Sequence, residues 1–182
     1  MNVDDALDEF CHPDTSTAGC RAAIWTVGSA LATYAAPYAH ATVLPILRAG
    51  LALLPGVLDV MGPRPTLLVG TERGEDRRRV AVRWWRPDRT PHPDEPLVVL
   101  DVVIAHGDTL VALLDDLAAR GHQADVTVLA ALAAPEGLAT IGHDHPRARL
   151  VPARLAAGVD PYGRLIPSTN GDAGDRLYGR RR

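Results

Sequence analysis

The sequence predicts an α/β domain: a mostly parallel sheet with helices on both faces. Short apolar runs recur at residues 41–46, 65–70, 97–101, 124–132 and 148–153, amphipathic segments lie between most of them, and Gly-, Pro- and Asp-rich turns join the two. Strands covered on both faces need such continuous apolar runs, whereas a half-exposed strand would alternate. An open sheet of this kind takes its ligand at the carboxyl ends of the strands.

Taken in order, residues 1–13 are acidic and carry Pro13, which predicts a loose lead-in. Thr15 or Ser16 can cap a helix running to about Tyr34, with Ile24, Val27, Leu31 and Tyr34 on one face and Pro37 ending it. A strand over 41–46, a loop over 47–50 and a helix over 51–60 follow, the helix taking Pro55 early. A second buried strand spans 65–70. Residues 71–96 are charged, rich in proline towards their end, and alternate in polarity only around 80–85. They predict a β-excursion over the sheet's carboxyl edge, the kind of long loop that carries function. Trp84 and Trp85 are expected to pack on a carboxyl-terminal element or a partner subunit. Arg77, Arg78, Arg79 and Arg86 are expected to form a solvated face and not an RNA-stacking surface. Beyond the strand at 97–101 come a turn, a helix over 110–120, the strand at 124–132, a short helix over 136–141, the strand at 148–153 and a turn-rich tail from Asp160.

The composition sets bounds on function. A chain of 182 residues suits one domain, and 47% hydrophobic residues is too many for a disordered chain. A net charge of −3 gives no footing for nonspecific nucleic-acid binding. No apolar stretch reaches the ~18 residues of a membrane span, and MNVDDALDEF lacks the basic, apolar pattern of a signal peptide. The expectation is a cytoplasmic protein acting on small molecules, with no nucleic-acid or membrane partner. Cys11 and Cys20 are too few for a disulfide framework or a zinc cluster, and reduced thiols are expected, one facing the core. His143 and His145 resemble a metal pair but sit at a helix end, and no metal is expected there. All 19 basic residues are arginine. Without lysine there is no Schiff base and no P-loop lysine, so a phosphate must be held by arginine, backbone amides or metal.

The most informative stretch is LVVLDVVIAHGDT at 97–109. It reads as a buried strand and a tight turn at Gly107, leading into a helix with Leu110, Leu113, Leu114 and Leu117 on one face. The helix start offers backbone N–H groups and a positive dipole end to an anion. Asp101 can hold a ribose hydroxyl or a magnesium ion beside it.

PILRAG at 45–50, AAPEG at 133–137 and GDAGDR at 171–176 accompany that stretch in the order, and nearly at the spacing, of uracil phosphoribosyltransferases. DTSTAGCR at 14–21 and VGSALATY at 27–34 are similar to that family's amino-terminal helix. The chain resembles the family over residues 14–179, as a short and diverged member. The resemblance implies one type I phosphoribosyltransferase domain over 1–182, with a small hood formed by about 154–182. It also implies a reaction: transfer of phosphoribose from phosphoribosyl pyrophosphate to uracil or a related small acceptor, with Mg2+, as in pyrimidine salvage.

Site residues follow from the same resemblance. Arg48 and Arg73 would bind the pyrophosphate, where a guanidinium fork suits phosphate oxygens. Asp101, Ala105, His106, Gly107, Asp108, Thr109 and Asp172 would hold the rest of the donor, with Asp101 also the candidate magnesium ligand. Backbone groups of Leu165, Gly171 and Ala173, with Asp172, would read the base. Arg48, Asp101 and Asp172 are the catalytic candidates, and Gly50 would let the backbone approach the ligand.

Departures from the family pattern matter too. The family reads close to DPMLATGGS or DPMLATGGT where this chain has DVVIAHGDT, so His106 replaces a threonine and Asp108 a glycine. A carboxylate about 4 Å from a phosphate charge would cost ~4 kcal/mol at an effective dielectric near 20, so donor binding requires Asp108 to turn outward. Glu72 stands where an aromatic residue usually precedes the arginine. Between Pro167 and Asp172 lies one residue more than the family has, which predicts a reshaped wall beside the base and reduced use of uracil. The family's extended arm between the first helix and PILRAG is missing. That arm helps pair subunits into a homodimer, so its loss bears on the pairing. Two other functions fit these departures: a specialised phosphoribosyltransferase for a non-uracil acceptor in secondary metabolism, and a catalytically weak nucleotide-binding regulator. Joint retention of Arg48, Asp101, Thr109, Asp172 and Asp175 speaks against the regulator.

Overall fold

The computed structural model describes residues 1–35, 38, 40–73, 80–84, 89–166 and 169–179. Six strands, β1 (Thr42–Leu47), β2 (Val69–Arg73), β3 (Val80–Trp84), β4 (Leu97–Ile104), β5 (Val126–Ala133) and β6 (Arg149–Leu155), form one sheet. Their order is β3-β2-β1-β4-β5-β6, and neighbours are parallel except the edge pair β2–β3. Helices α1 (Val3–Cys11), α2 (Thr17–Ala32) and α3 (Leu54–Met61) cover one face, and α4 (Asp108–Ala119) and α5 (Pro135–Asp144) the other. Val98, Leu100 and Val102 of β4 join the first layer's core, while Leu97 and Val99 join the second. β5 is buried along its whole length. In β1, too, Val43 joins the first layer and Leu44 and Ile46 the second, so continuous apolar runs mark the strands covered on both sides, β1, β4 and β5, as expected. A two-stranded hairpin, β7 (Gly158–Val159) with β8 (Leu165–Ile166), and the short helix α6 (Ala173–Tyr178) make a carboxyl-terminal hood.

Residues 1–13 are not a loose lead-in. Asn2 caps α1 by accepting the Asp5 N–H at 2.8 Å, and Ala6, Leu7 and Phe10 are fully buried. Asp4 and Asp8 meet Arg154 of β6 at 3.0 and 2.6 Å, but such exposed pairs contribute little, and burial holds the helix. The acidic composition obscured a one-sided apolar stripe and a capping asparagine. Ser16 is the cap of α2, and Tyr34 falls beyond that helix, 53% exposed and not on the buried face. The second strand begins at Val69, with residues 65–70 contributing an isolated bridge from Thr66 to Val43.

The excursion is a hairpin extending the sheet, β2 pairing with β3 from Val69↔Trp84 to Arg73↔Val80. Trp84 packs on α4, not on the hood: its indole N–H donates to Asp116 at 2.7 Å, and Arg120 lies 5.7 Å over its ring. Burial would raise the Asp116 carboxyl, but hydrogen bonds from Arg120 and Trp84 outweigh it and hold the group below the usual carboxylate range. Trp85, Arg86, Arg77, Arg78 and Arg79 lie outside the described residues. Among the described residues no helix is long and apolar enough to cross a membrane. Cys20 is buried against the core, as expected, and Cys11 is half-buried.

Helices α2 and α3 meet backbone to backbone. A Cβ on Gly56 would collide with the Trp25 carbonyl and the Ser29 amide. In a free helix Gly→Ala stabilises by ~1 kcal/mol, but overpacking a tight contact costs ~1–3 kcal/mol. Gly56→Ala is therefore expected to destabilise the protein, measured as a lower denaturant midpoint. An unchanged or higher midpoint would mean that the helices separate freely.

Candidate active site

β1 and β4 lie side by side at the sheet centre, and their crossovers leave in opposite directions: β1 leads through α3 to β2, β4 through α4 to β5. That reversal leaves a crevice at the carboxyl ends of the two strands. A cleft of about 750 Å³ opens there, walled by the end of β1, the turn after β4 and the hood.

From β1 the chain turns through Arg48 into a 3₁₀ turn, Ala49–Ala52, the Leu47–Arg48 peptide being cis. Gly50 does not line the cleft. A Cβ there would run into the Leu100 carbonyl, so this glycine lets the turn sit directly on β4 rather than near a ligand.

Strand β4 runs through Asp101 to Ile104, beyond its expected end. Asp101 therefore lies in the strand and reaches the cleft from its floor, its Oδ1 accepting the Val102 N–H at 2.8 Å. The turn itself is tighter, Ala105 to Gly107. Gly107 has φ +91°, where an L side chain is strained, and a Cβ would meet the Gly137 carbonyl at 2.9 Å. Gly137, from AAPEG, returns the constraint, since its own Cβ would strike the Ala105 carbonyl. The turn is thus pressed onto the first turn of α5. Ala105, His106, Gly107, Asp108 and Thr109 all line the cleft, so the amino-terminal end of α4, with its positive dipole end, borders it.

On the hood side the cleft is lined by Leu165, Gly171, Asp172, Ala173, Gly174 and Asp175. Asp172 caps α6 by accepting the Asp175 N–H at 2.9 Å. Arg48 crosses to this helix: Nη2 meets Asp175 at 2.5 Å, Nη1 donates to the Gly179 carbonyl at 3.2 Å, and Asp172 lies 3.9 Å away. Thr169 is buried and donates to the Gly171 carbonyl at 2.8 Å, while Asn170 donates to the Cys11 carbonyl of α1. Arg176 donates to the His12 carbonyl at 2.7 Å and lies over the Phe10 ring. The residues around the insertion and the end of GDAGDR therefore fasten the hood to α1.

Sequence reasoning missed Arg164. Asp160 organises the β7–β8 turn by accepting the Tyr162 and Arg164 N–H groups, each at 2.9 Å, and the Arg164 Nε at 2.8 Å. These bonds, the Arg164 amide first, hold the Asp160 carboxyl below its ordinary range. Arg164 lines the cleft, and a Cβ on neighbouring Gly163 would come within 3.3 Å of the His106 ring, so the hood tip and the turn after β4 touch. The Asp-x-x-x-Arg spacing around a glycine was the available signal.

Arg73 ends β2, and its side chain lies outside the described residues, as do Pro167 and Ser168. His145 turns to Asp115 at 3.1 Å, and among the described residues no group of three or more His, Cys, Asp or Glu side chains could hold a metal ion.

Three solved structures place this architecture. The AQ2163 protein from Aquifex aeolicus is 25% identical over 97% of this chain and 94% of that one, with a TM-score of 0.87. APRTase from Giardia lamblia complexed with 9-deazaadenine is 19% identical over 72% of this chain and 79% of that one, with a TM-score of 0.54. Purine phosphoribosyltransferase from Pyrococcus horikoshii is 17% identical over 60% and 72%, with a TM-score of 0.51. The fold is that of the type I phosphoribosyltransferases. The family model for uracil phosphoribosyltransferase matches residues 21–180, and the chain belongs to that family.

Proposed function

We propose that the protein transfers phosphoribose from phosphoribosyl pyrophosphate to uracil or a related small planar acceptor and releases pyrophosphate. One observation carries this reading: an arginine after β1, an anion-binding turn after β4 and a hood edged by backbone groups converge on a single crevice. The acceptor nitrogen bonds to the anomeric carbon as the carbon–oxygen bond to pyrophosphate breaks, and the nitrogen's proton leaves. Positive charge on the ribose and negative charge on the leaving group both grow towards the transition state, so positioning and electrostatics supply the catalysis. Amides at the start of α4 and Thr109 hold the 5′-phosphate, Arg48 takes the pyrophosphate, and Asp101 and Asp172 hold the ribose. Asp101, a single hard-oxygen ligand, fits a magnesium ion whose other ligands are donor oxygens and water. Such an ion would neutralise the leaving group.

A backbone-lined hood supports an acceptor with alternating acceptors and donors, as in uracil. A second reading, a different heterocycle, is favoured by Asn170: it sits at φ +55° and is tied to α1, so the longer loop takes its own path beside Gly171. Losing two buried hydrogen bonds at ~1–3 kcal/mol each would lower uracil use by a factor on the order of 100.

Pyrophosphate release with donor, Mg2+ and a panel of pyrimidines and other heterocycles tests both readings. The expected result is weak uracil-dependent release, outpaced about 100-fold by some other planar heterocycle; uracil-dependent release at rates ordinary for enzymes would show that the longer loop is absorbed and return the assignment to plain uracil transfer. Calorimetry that detects no donor binding in the presence of Mg2+ would sink both.

Arg48→Ala removes charge-assisted hydrogen bonds worth ~1.5–3 kcal/mol, so kcat/KM for the donor should fall about 10- to 100-fold with the fold intact. Unchanged kinetics would remove Arg48 from the site.

A further inference from the structure

We propose that Asp175 is a positioning residue for donor binding, acting through Arg48. The proposal rests on Arg48 as the pyrophosphate ligand and adds what makes that arginine competent. Arg48 and Asp175 are 127 residues apart in sequence, yet their side chains meet at 2.5 Å across the cleft, and the Gly179 carbonyl holds the second terminal nitrogen at 3.2 Å. Gly174 leaves room for the fit: a Cβ there would lie 3.0 Å from Asp172 Oδ1 and 3.3 Å from both Nε and Nη2 of Arg48. The hood helix is thus shaped around the guanidinium. The side chains of Arg48 and Asp175 are 30% and 33% exposed, so the pair is open to solvent and adds little to stability by itself.

Charge alone argues against such an arrangement at an anion site. A carboxylate against the binding arginine lowers the positive potential offered to a pyrophosphate. What the contact supplies is preorganisation: a long, rotamer-rich side chain is already fixed when the donor arrives, so less freedom is lost on binding. Charge and positioning therefore predict opposite signs when Asp175 is changed.

Asp175→Ala frees Arg48 while making the cleft more positive. Asp175→Asn also removes the charge but leaves an oxygen to accept the Nη2 hydrogen bond. The expected result is a donor KM raised about tenfold in D175A and restored to the wild-type value or below in D175N, with the acceptor KM unmoved. In an Arg48→Ala background, D175A should add nothing, because its route to the donor is gone. A D175A donor KM at or below wild type would overturn the proposal, since charge would then be the whole effect. An equal loss in the Arg48→Ala background would overturn it too, by showing a route that bypasses the arginine. If Arg48→Ala itself binds donor normally, the reading of Arg48 fails first, and the two failures are told apart. Should D175A not fold, Asp175→Ser carries the test: the shorter side chain gives up the Nη2 contact, so the donor KM should rise at least threefold, and a wild-type value overturns the proposal.

Discussion

With β1 and β4 paired in parallel at the sheet centre, from Thr42↔Leu97 to Pro45↔Leu100, two functional strand ends are fixed relative to each other. Continuing that register sets Ile46 beside Asp101, and strands lie about 4.8 Å apart. The turn at Arg48 and the strand carrying Asp101 must therefore open on the same crevice. Gly50 on the Leu100 carbonyl, and Gly107 against Gly137, then remove the slack at both turns. Backbone contacts of this kind leave no room for a side chain to relax, so the turns hold their places whether or not a ligand is present.

The hood has no such sheet to rest on. Its hairpin pairs at two register positions and its helix spans Ala173–Tyr178, too little to stand alone. Among the described residues it is fastened to the site through Arg48, to α1 through Asn170 and Arg176, to α2 through Arg21, which donates to the Leu177 carbonyl at 2.9 Å, and to the core through Leu177. GDAGDR is dense with function for this reason. Asp172 caps the helix, Gly174 admits the guanidinium, Asp175 holds it, and Arg176 reaches the amino-terminal helix. The amino-terminal helix is thereby part of the hood's support.

How much of this was legible in the sequence depended on whether local pattern or distant contact determines a feature. The doubly covered strands announce themselves because every position is apolar. The turn after β4 was legible because Gly107 and the following leucine stripe are local. By contrast, α1 was hidden by its acidic outer face: three buried positions, Ala6, Leu7 and Phe10, outweigh a composition that suggested a tail. Gly50 was read correctly as a close approach but to the wrong partner, since sequence shows the need for space and not what fills it. Trp84 was expected on the hood or a partner subunit, since the hairpin's register, which carries it onto α4, is a pairing that no local motif encodes. For Arg164 the local spacing from Asp160 marks the turn, but its place at the cleft depends on how the hood folds back.

The charge balance of the cleft gives the last constraint. Among the described residues four carboxylates line it, from Asp101, Asp108, Asp172 and Asp175, against two guanidiniums, from Arg48 and Arg164. On the reading proposed above, a polyanion would be held by local arrangement: amides and a helix dipole at α4, Arg48 fixed at the hood, and Asp101 sharing a divalent cation with the donor. The absence of lysine fits this economy, because a flexible ammonium would add charge without direction, whereas a clamped guanidinium adds both. Asp108 adds a carboxylate to the lining at the start of α4; a phosphate held about 4 Å from it would be opposed by ~4 kcal/mol at an effective dielectric near 20. The adjacent His106 stands beside the hood tip at Gly163. The turn leading into α4 thus carries a carboxylate that the family's DPMLATGG pattern lacks, and the cleft is more acidic at that end than the pattern would make it.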